Sequence, residues 1–227
     1  MCKVKRYFAA LVCAFALVGC QKSEHQCESA QAPTADIAVI GDSYTGGSSE
    51  GGLRDKGWPI LVEAQLRCKG TPIVADLGTA GGSGYVNRGP RNIVFGEEIP
   101  DTVDPGTRLV VLFGSINDRG VDPQQYSAAV KRTLNSIQAT APSARILVIG
   151  PPWVAGDAPA SITHMRDLLR EQAEAAHARF VDPIADQWFV GRRDLIGKDG
   201  EHPTDAGHVY MADLIAPIIS EELGNAH

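Results

Sequence analysis

The chain has 227 residues, 44% hydrophobic and 21% charged, which fits one globular domain and excludes a disordered polypeptide. Its net charge is −6, and setting aside Lys3, Lys5 and Arg6 leaves 18 basic against 27 acidic residues. A body this acidic excludes a nucleic-acid binder, which needs a basic face to neutralise phosphates.

Lys3, Lys5 and Arg6 form a basic start, followed by an uncharged, mainly apolar run from Tyr7 to Gly19. That run is short for a membrane span and right for a signal peptide. It ends Leu17-Val18-Gly19-Cys20, with polar Gln21-Lys22-Ser23-Glu24 next, a pattern that resembles a bacterial lipobox. Residues 1–19 are therefore expected to be a lipoprotein signal peptide, with Cys20 lipidated. Acyl chains would then hold an exported protein on a membrane of the bacterial cell envelope. Residues 20–35 read as a polar tether and 36–227 as the folded domain. Cys27 and Cys68 remain as an even pair in an oxidising compartment. A disulfide joining the tether to the first helix and two free thiols both fit, because geometry cannot be read from sequence. No cysteine or histidine spacing matches a zinc site, and neither metal nor cofactor is expected.

Ile37-Ala38-Val39-Ile40 is an apolar run ended by Gly41-Asp42-Ser43, a buried strand meeting a turn. Trp58 to Cys68 carries a rough helical face, with Pro59 suited to its first turn. Residues 72–77 read as a second strand, 109–113 as a third, 146–149 as a fourth and 179–181 as a fifth. Helical spacing predicts helices over 125–140 and 162–177. A last helix, 204–223, has Thr204 as its N-cap and Pro217 as a kink. Apolar strands alternating with helices imply a parallel sheet covered on both faces, with ligands beyond the carboxyl ends of the strands.

The residues at those ends carry the chemistry. Gly41-Asp42-Ser43-Tyr44 follows the first strand, and Asp76-Leu77-Gly78-Thr79-Ala80-Gly81 follows the second. Gly114-Ser115-Ile116-Asn117-Asp118 follows the third, and Asp199-Gly200-Glu201-His202-Pro203 precedes the last helix. Alone, Ser43 reads as a cap serine, Asn117 as an Asx-turn residue, Asp199 as a turn former and His202 as a loop histidine. Together and in this order, the four blocks resemble the SGNH (GDSL) hydrolase family over nearly all of residues 36–222. The second block departs from the family in starting with Asp76 where Asn is usual. Adjacent Gly81 and Gly82 leave open which of the two is the donor.

The resemblance implies a flavodoxin-like three-layer α/β/α fold with a five-stranded parallel sheet. It implies Ser43, Gly81, Asn117 and His202 as the four named residues, with Asp199 completing a triad. The chemistry of the residues agrees. A serine hydroxyl needs a neighbouring base, and imidazole with a carboxylate on its other nitrogen is such a base. The backbone N–H groups of Ser43 and Gly81 and the Asn117 amide would form an oxyanion hole. Asp42 and Asp118 are expected to brace their loops, His208 to be structural, and His164 and His177 solvated. Trp153 reads either as a cleft residue or as core.

The expected activity is hydrolysis of carboxylic esters through an acyl-enzyme on Ser43, by a monomer. With no long apolar lid evident, the expected substrates are short acyl, mainly acetyl, esters of envelope or extracellular carbohydrate. Lipase, lysophospholipase or thioesterase action on lipid acyl chains is the alternative within the family. A ligand-binding lipoprotein without catalysis is the alternative outside it. A nucleotide-binding domain is disfavoured, since Gly78, Gly81, Gly82 and Gly84 form no GxGxxG and no P-loop motif exists.

Overall fold

The computed structural model describes residues 34–114 and 116–224. Its strands are Ala35–Gly41 (β1), Ile73–Thr79 (β2), Leu109–Phe113 (β3), Arg145–Ile149 (β4) and Arg179–Val181 (β5). Its helices are Ser43–Gly46 (α1), Trp58–Cys68 (α2), Phe95–Thr102 (α3), Pro123–Thr140 (α4), Ala160–Ala175 (α5) and Asp205–Gly224 (α6). The strands pair in parallel in the order β2-β1-β3-β4-β5.

Successive side chains of a strand point to opposite faces, so the apolar central strands must be covered twice. Ile37, Val39, Val111 and Phe113 enter one core with Trp58, Val62 and Leu66 of α2 and Met211 and Ile215 of α6. Ala38, Ile40, Val110 and Leu112 enter the other with Phe95 and Ile99 of α3, Val130 and Leu134 of α4 and Leu169 of α5. This is the expected three-layer α/β/α architecture with a five-stranded parallel sheet.

Three local expectations differ from the structure. β2 continues to Thr79, so Gly78 and Thr79 lie within the strand. It is also an edge strand, and its apolar run is not covered on both faces: Val74 and Leu77 are 49% and 41% exposed. Glu63 of α2 accepts the Ala75 N–H at 2.7 Å, which occupies a donor on that open edge. α3 has no sequence counterpart above, because Gly96 and Pro100 break its pattern. Glu97 and Glu98 in its first turn favour the positive helix end, and burial of Phe95 and Ile99 anchors it. At the last helix, Gly207 N–H donates to Thr204 Oγ1 at 3.2 Å, an N-cap bond, and α6 continues past Pro217 to Gly224.

The register aligns the strand ends. Gly41 sits opposite Thr79 and Phe113, Phe113 opposite Ile149, and Ile149 opposite Val181. The loops after β1, β2 and β3 therefore leave from one rim, where open parallel sheets bind ligands. Cys68, the last residue of α2, is disulfide-bonded. Cys20, Cys27 and the expected leader lie outside the described residues.

Candidate active site

Ser43 opens α1 immediately after β1. Asp42 caps this short helix, its Oδ1 accepting the Tyr44 N–H at 2.9 Å, as a short acidic side chain at an N-cap does. Ser43 is 9% exposed, and its Oγ lies 3.0 Å from His202 Nε2. His202 Nδ1 lies 2.6 Å from Asp199 Oδ2. The other oxygen of Asp199 accepts the N–H groups of Glu201 at 2.9 Å and of His202 at 3.0 Å. Base and carboxylate thus belong to one self-bonded turn just ahead of α6. Partial desolvation pushes the Asp199 carboxyl up, but the Glu201 N–H, the His202 ring and the His202 N–H outweigh it. The net position is about 2, so Asp199 is charged at all ordinary pH.

The loop after β2 passes beside the serine. A Cβ on Gly81 would stand 3.9 Å from Ser43 Cβ, so Gly81 is the glycine that abuts the nucleophile position. Gly82 faces Pro90 instead. Ala80 N–H donates to Gly41 O, and Ser83 Oγ to Ala80 O, which pins this loop to the end of β1.

Asn117 joins three rim loops. Its amide nitrogen donates to Asp42 Oδ2 at 2.7 Å and to Ser83 O at 2.9 Å. Asp118 accepts the N–H groups of Tyr85, Val86 and Asn87 at 2.7, 3.1 and 2.7 Å. Burial pushes its carboxyl up, against the lowering effect of the Asn87, Tyr85 and Val86 N–H groups. Gly84 is needed for this clasp, since a Cβ there would come within 2.4 Å of Asp118 Oδ2. Asp42 and Asp118 thus brace their loops.

Other residues fall into place around this centre. His208 is fully buried, its Nδ1 accepting the Trp58 N–H at 3.3 Å. Burial, partly opposed by Asp205, pushes it down to about 4. His164 and His177 are exposed, and Trp153 packs against the core under α3, α4 and α5. Three ties were not foreseen. Tyr44 Oη donates to Glu201 O at 2.5 Å. Glu50 accepts the Lys198 N–H at 2.8 Å, and Asp205 accepts the Gly52 N–H at 3.0 Å. Each joins the loop after α1 or α1 itself to the Asp199–His202 turn or its flank. The only signal for the first was a tyrosine directly after the serine.

Residues 39–210 match the GDSL-like lipase/acylhydrolase family. A protein described as a GDSL lipase, from Mycobacterium tuberculosis, is 49% identical over 190 residues, covering 82% of each chain. The crystal structure of TesA aligns with a TM-score of 0.69 at 19% identity, over 82% of this chain and 99% of that one. An acetyl xylan esterase structure gives 0.65 at 19% identity, over 81% and 99%. At such identities the two structures speak for the fold alone.

Proposed function

Because the chain belongs to the GDSL-like lipase/acylhydrolase family, we propose that it hydrolyses carboxylic esters through an acyl-enzyme on Ser43. The observation that carries this reading is the row Ser43 Oγ, His202, Asp199, linked at 3.0 and 2.6 Å across 159 residues of chain. In this row His202 Nδ1–H donates to the charged Asp199, which leaves Nε2 with the lone pair that accepts the serine proton. Ser43 Oγ then attacks the acyl carbon, and the carbonyl oxygen becomes an oxyanion. The N–H groups of Ser43 and Gly81, residues that abut each other, would be its donors, and each such donor is worth about 3 kcal/mol in the transition state. The two Asn117 amide hydrogens already face Asp42 and Ser83. Its service as third donor therefore requires one of these contacts to be shared. His202 returns the proton to the leaving alcohol, and water repeats the sequence to free the acid.

For the substrate we propose short acyl esters, chiefly acetyl groups on carbohydrate. A cavity of about 280 Å³ adjoins the Asp199 turn, lined by Val154, Ala155, Arg193, Ile196, Gly197, Lys198 and Gly200. Its two cationic side chains suit a hydroxyl-rich alcohol better than an aliphatic chain. The competing reading, action on lipid acyl chains, draws on the relative described as a lipase. Rates on p-nitrophenyl esters of rising chain length decide between them: the acetate is expected to be fastest, and a maximum at long chains removes the carbohydrate reading. Labelling by a fluorophosphonate that persists in Ser43→Ala would remove the enzyme mechanism itself. Export and anchoring through Cys20 belong to the same proposal, supported by the leader pattern. Incorporation of a palmitate analogue, lost in Cys20→Ser, tests them.

A further inference from the structure

The position of His202 relative to Asp199 is set inside one turn. The position of Ser43 is set by β1 and its cap. Neither fixes where the turn lies relative to the serine, and a general base works only within hydrogen-bond reach of the proton it takes. Tyr44 spans that gap. It is bonded covalently to Ser43, and its hydroxyl donates to the carbonyl of Glu201, which is bonded covalently to His202. With the 3.0 Å contact between Ser43 and His202, this closes a small ring that has one reactive side and one fixed side.

We propose that Tyr44 is a positioning residue, whose hydroxyl holds the His202 turn at the distance Ser43 requires. The proposal rests on the reading of Ser43 and His202 given above. Tyr44 is 3% exposed, with its ring against Phe113 at 6.0 Å and Phe189 at 6.4 Å. The ring is held by this packing, which fixes the direction in which its hydroxyl points. Burial, reinforced by Asp42, Glu201 and Asp199, pushes the phenol above its ordinary value, so it remains a donor at every working pH. Tyr44 both fills the core and reaches across the site.

Tyr44→Phe tests this, because it keeps the packed ring and removes only the donor. Active sites are first counted with a fluorophosphonate, so that misfolded protein drops out of the rate. Per labelled site, kcat is expected to fall about tenfold, as a base displaced by a fraction of an ångström allows. KM is expected to hold. The acid limb of the pH profile is also expected to hold, since the Asp199–His202 contact lies within the turn and survives. A fall in kcat of less than about threefold overturns the proposal, and so does a moved acid limb. Tyr44→Leu should be no faster than Tyr44→Phe, and recovery of the wild-type rate by leucine overturns it equally. A wild-type protein that takes no label sinks the Ser43 reading instead, which separates the two failures.

Discussion

Asp118 and Asp199 are both carboxylates on loops at the catalytic rim, and both accept backbone N–H groups. Burial drives the first up, whereas local N–H groups and an imidazole bring the second down to about 2. The difference marks two kinds of construction. Ser43, Gly81 and Asn117 sit at the ends of β1, β2 and β3, on segments cross-linked by the Asp42 cap, the Ala80 N–H on Gly41 O and the Asn117 amide. Asp199 and His202 form a turn whose side chains are 37% and 26% exposed, docked from outside by a few long-range ties. The sheet half is held by the fold, and the turn half by its own internal bonds.

The sharpest way to break this contrast is Asp199→Asn. Without the carboxylate the imidazole loses its tautomer, and kcat is expected to fall about 10³- to 10⁴-fold while the melting temperature barely moves. Large destabilisation would show the turn to be part of the scaffold. In the wild type, Asp199 remains charged to about pH 2, so loss of this carboxylate's charge is not what an acid limb of the activity profile reports. Asp118→Ala should behave the other way. It strips the N–H groups of Tyr85, Val86 and Asn87 of their acceptor, the first of them buried, and about 3 kcal/mol of stability should be lost in a denaturant titration. A fully stable variant would refute the bracing role.

His208 offers a test by pH. It is neutral in the fold down to about 4, whereas a free histidine takes a proton near 6.5. Between those values the unfolded chain binds the extra proton, so stability falls as pH drops through that window. The loss reaches about 3 kcal/mol near pH 4. A His208→Gln variant should lack this slope, and an identical slope would assign the effect elsewhere. Glu50→Ala has the smallest expected effect, about 1 kcal/mol, because the bond it loses is one half-exposed acceptor for the Lys198 N–H. Its measure is the melting temperature with and without a bound acyl-enzyme analogue.

How far the sequence could be read follows the same division. β1, β3 and β4 were legible because strands buried on both faces are apolar at nearly every position. The edge placement of β2 was not, since Val74 and Leu77 look the same whether or not a neighbour covers them. α3 was hidden by Gly96 and Pro100, and it forms because Phe95 and Ile99 find a core. Ser43, Gly81, Asn117, Asp199 and His202 could be named from four ordered blocks, and the structure brings them to one rim. The tie from Tyr44 to Glu201 spans 157 residues and that from Glu50 to Lys198 spans 148. No local pattern announces such contacts, which exist only once the chain has folded.

β1 begins at Ala35 beside Ile73 and ends at Gly41 beside the reactive serine, so it runs the full height of the sheet. Whatever is attached ahead of Ala35 therefore joins the molecule at the pole away from its chemistry. Coupled to a bead or a surface through that end, the protein would present its mouth to the surrounding solution. Coupling through the Asp199 turn would bury it.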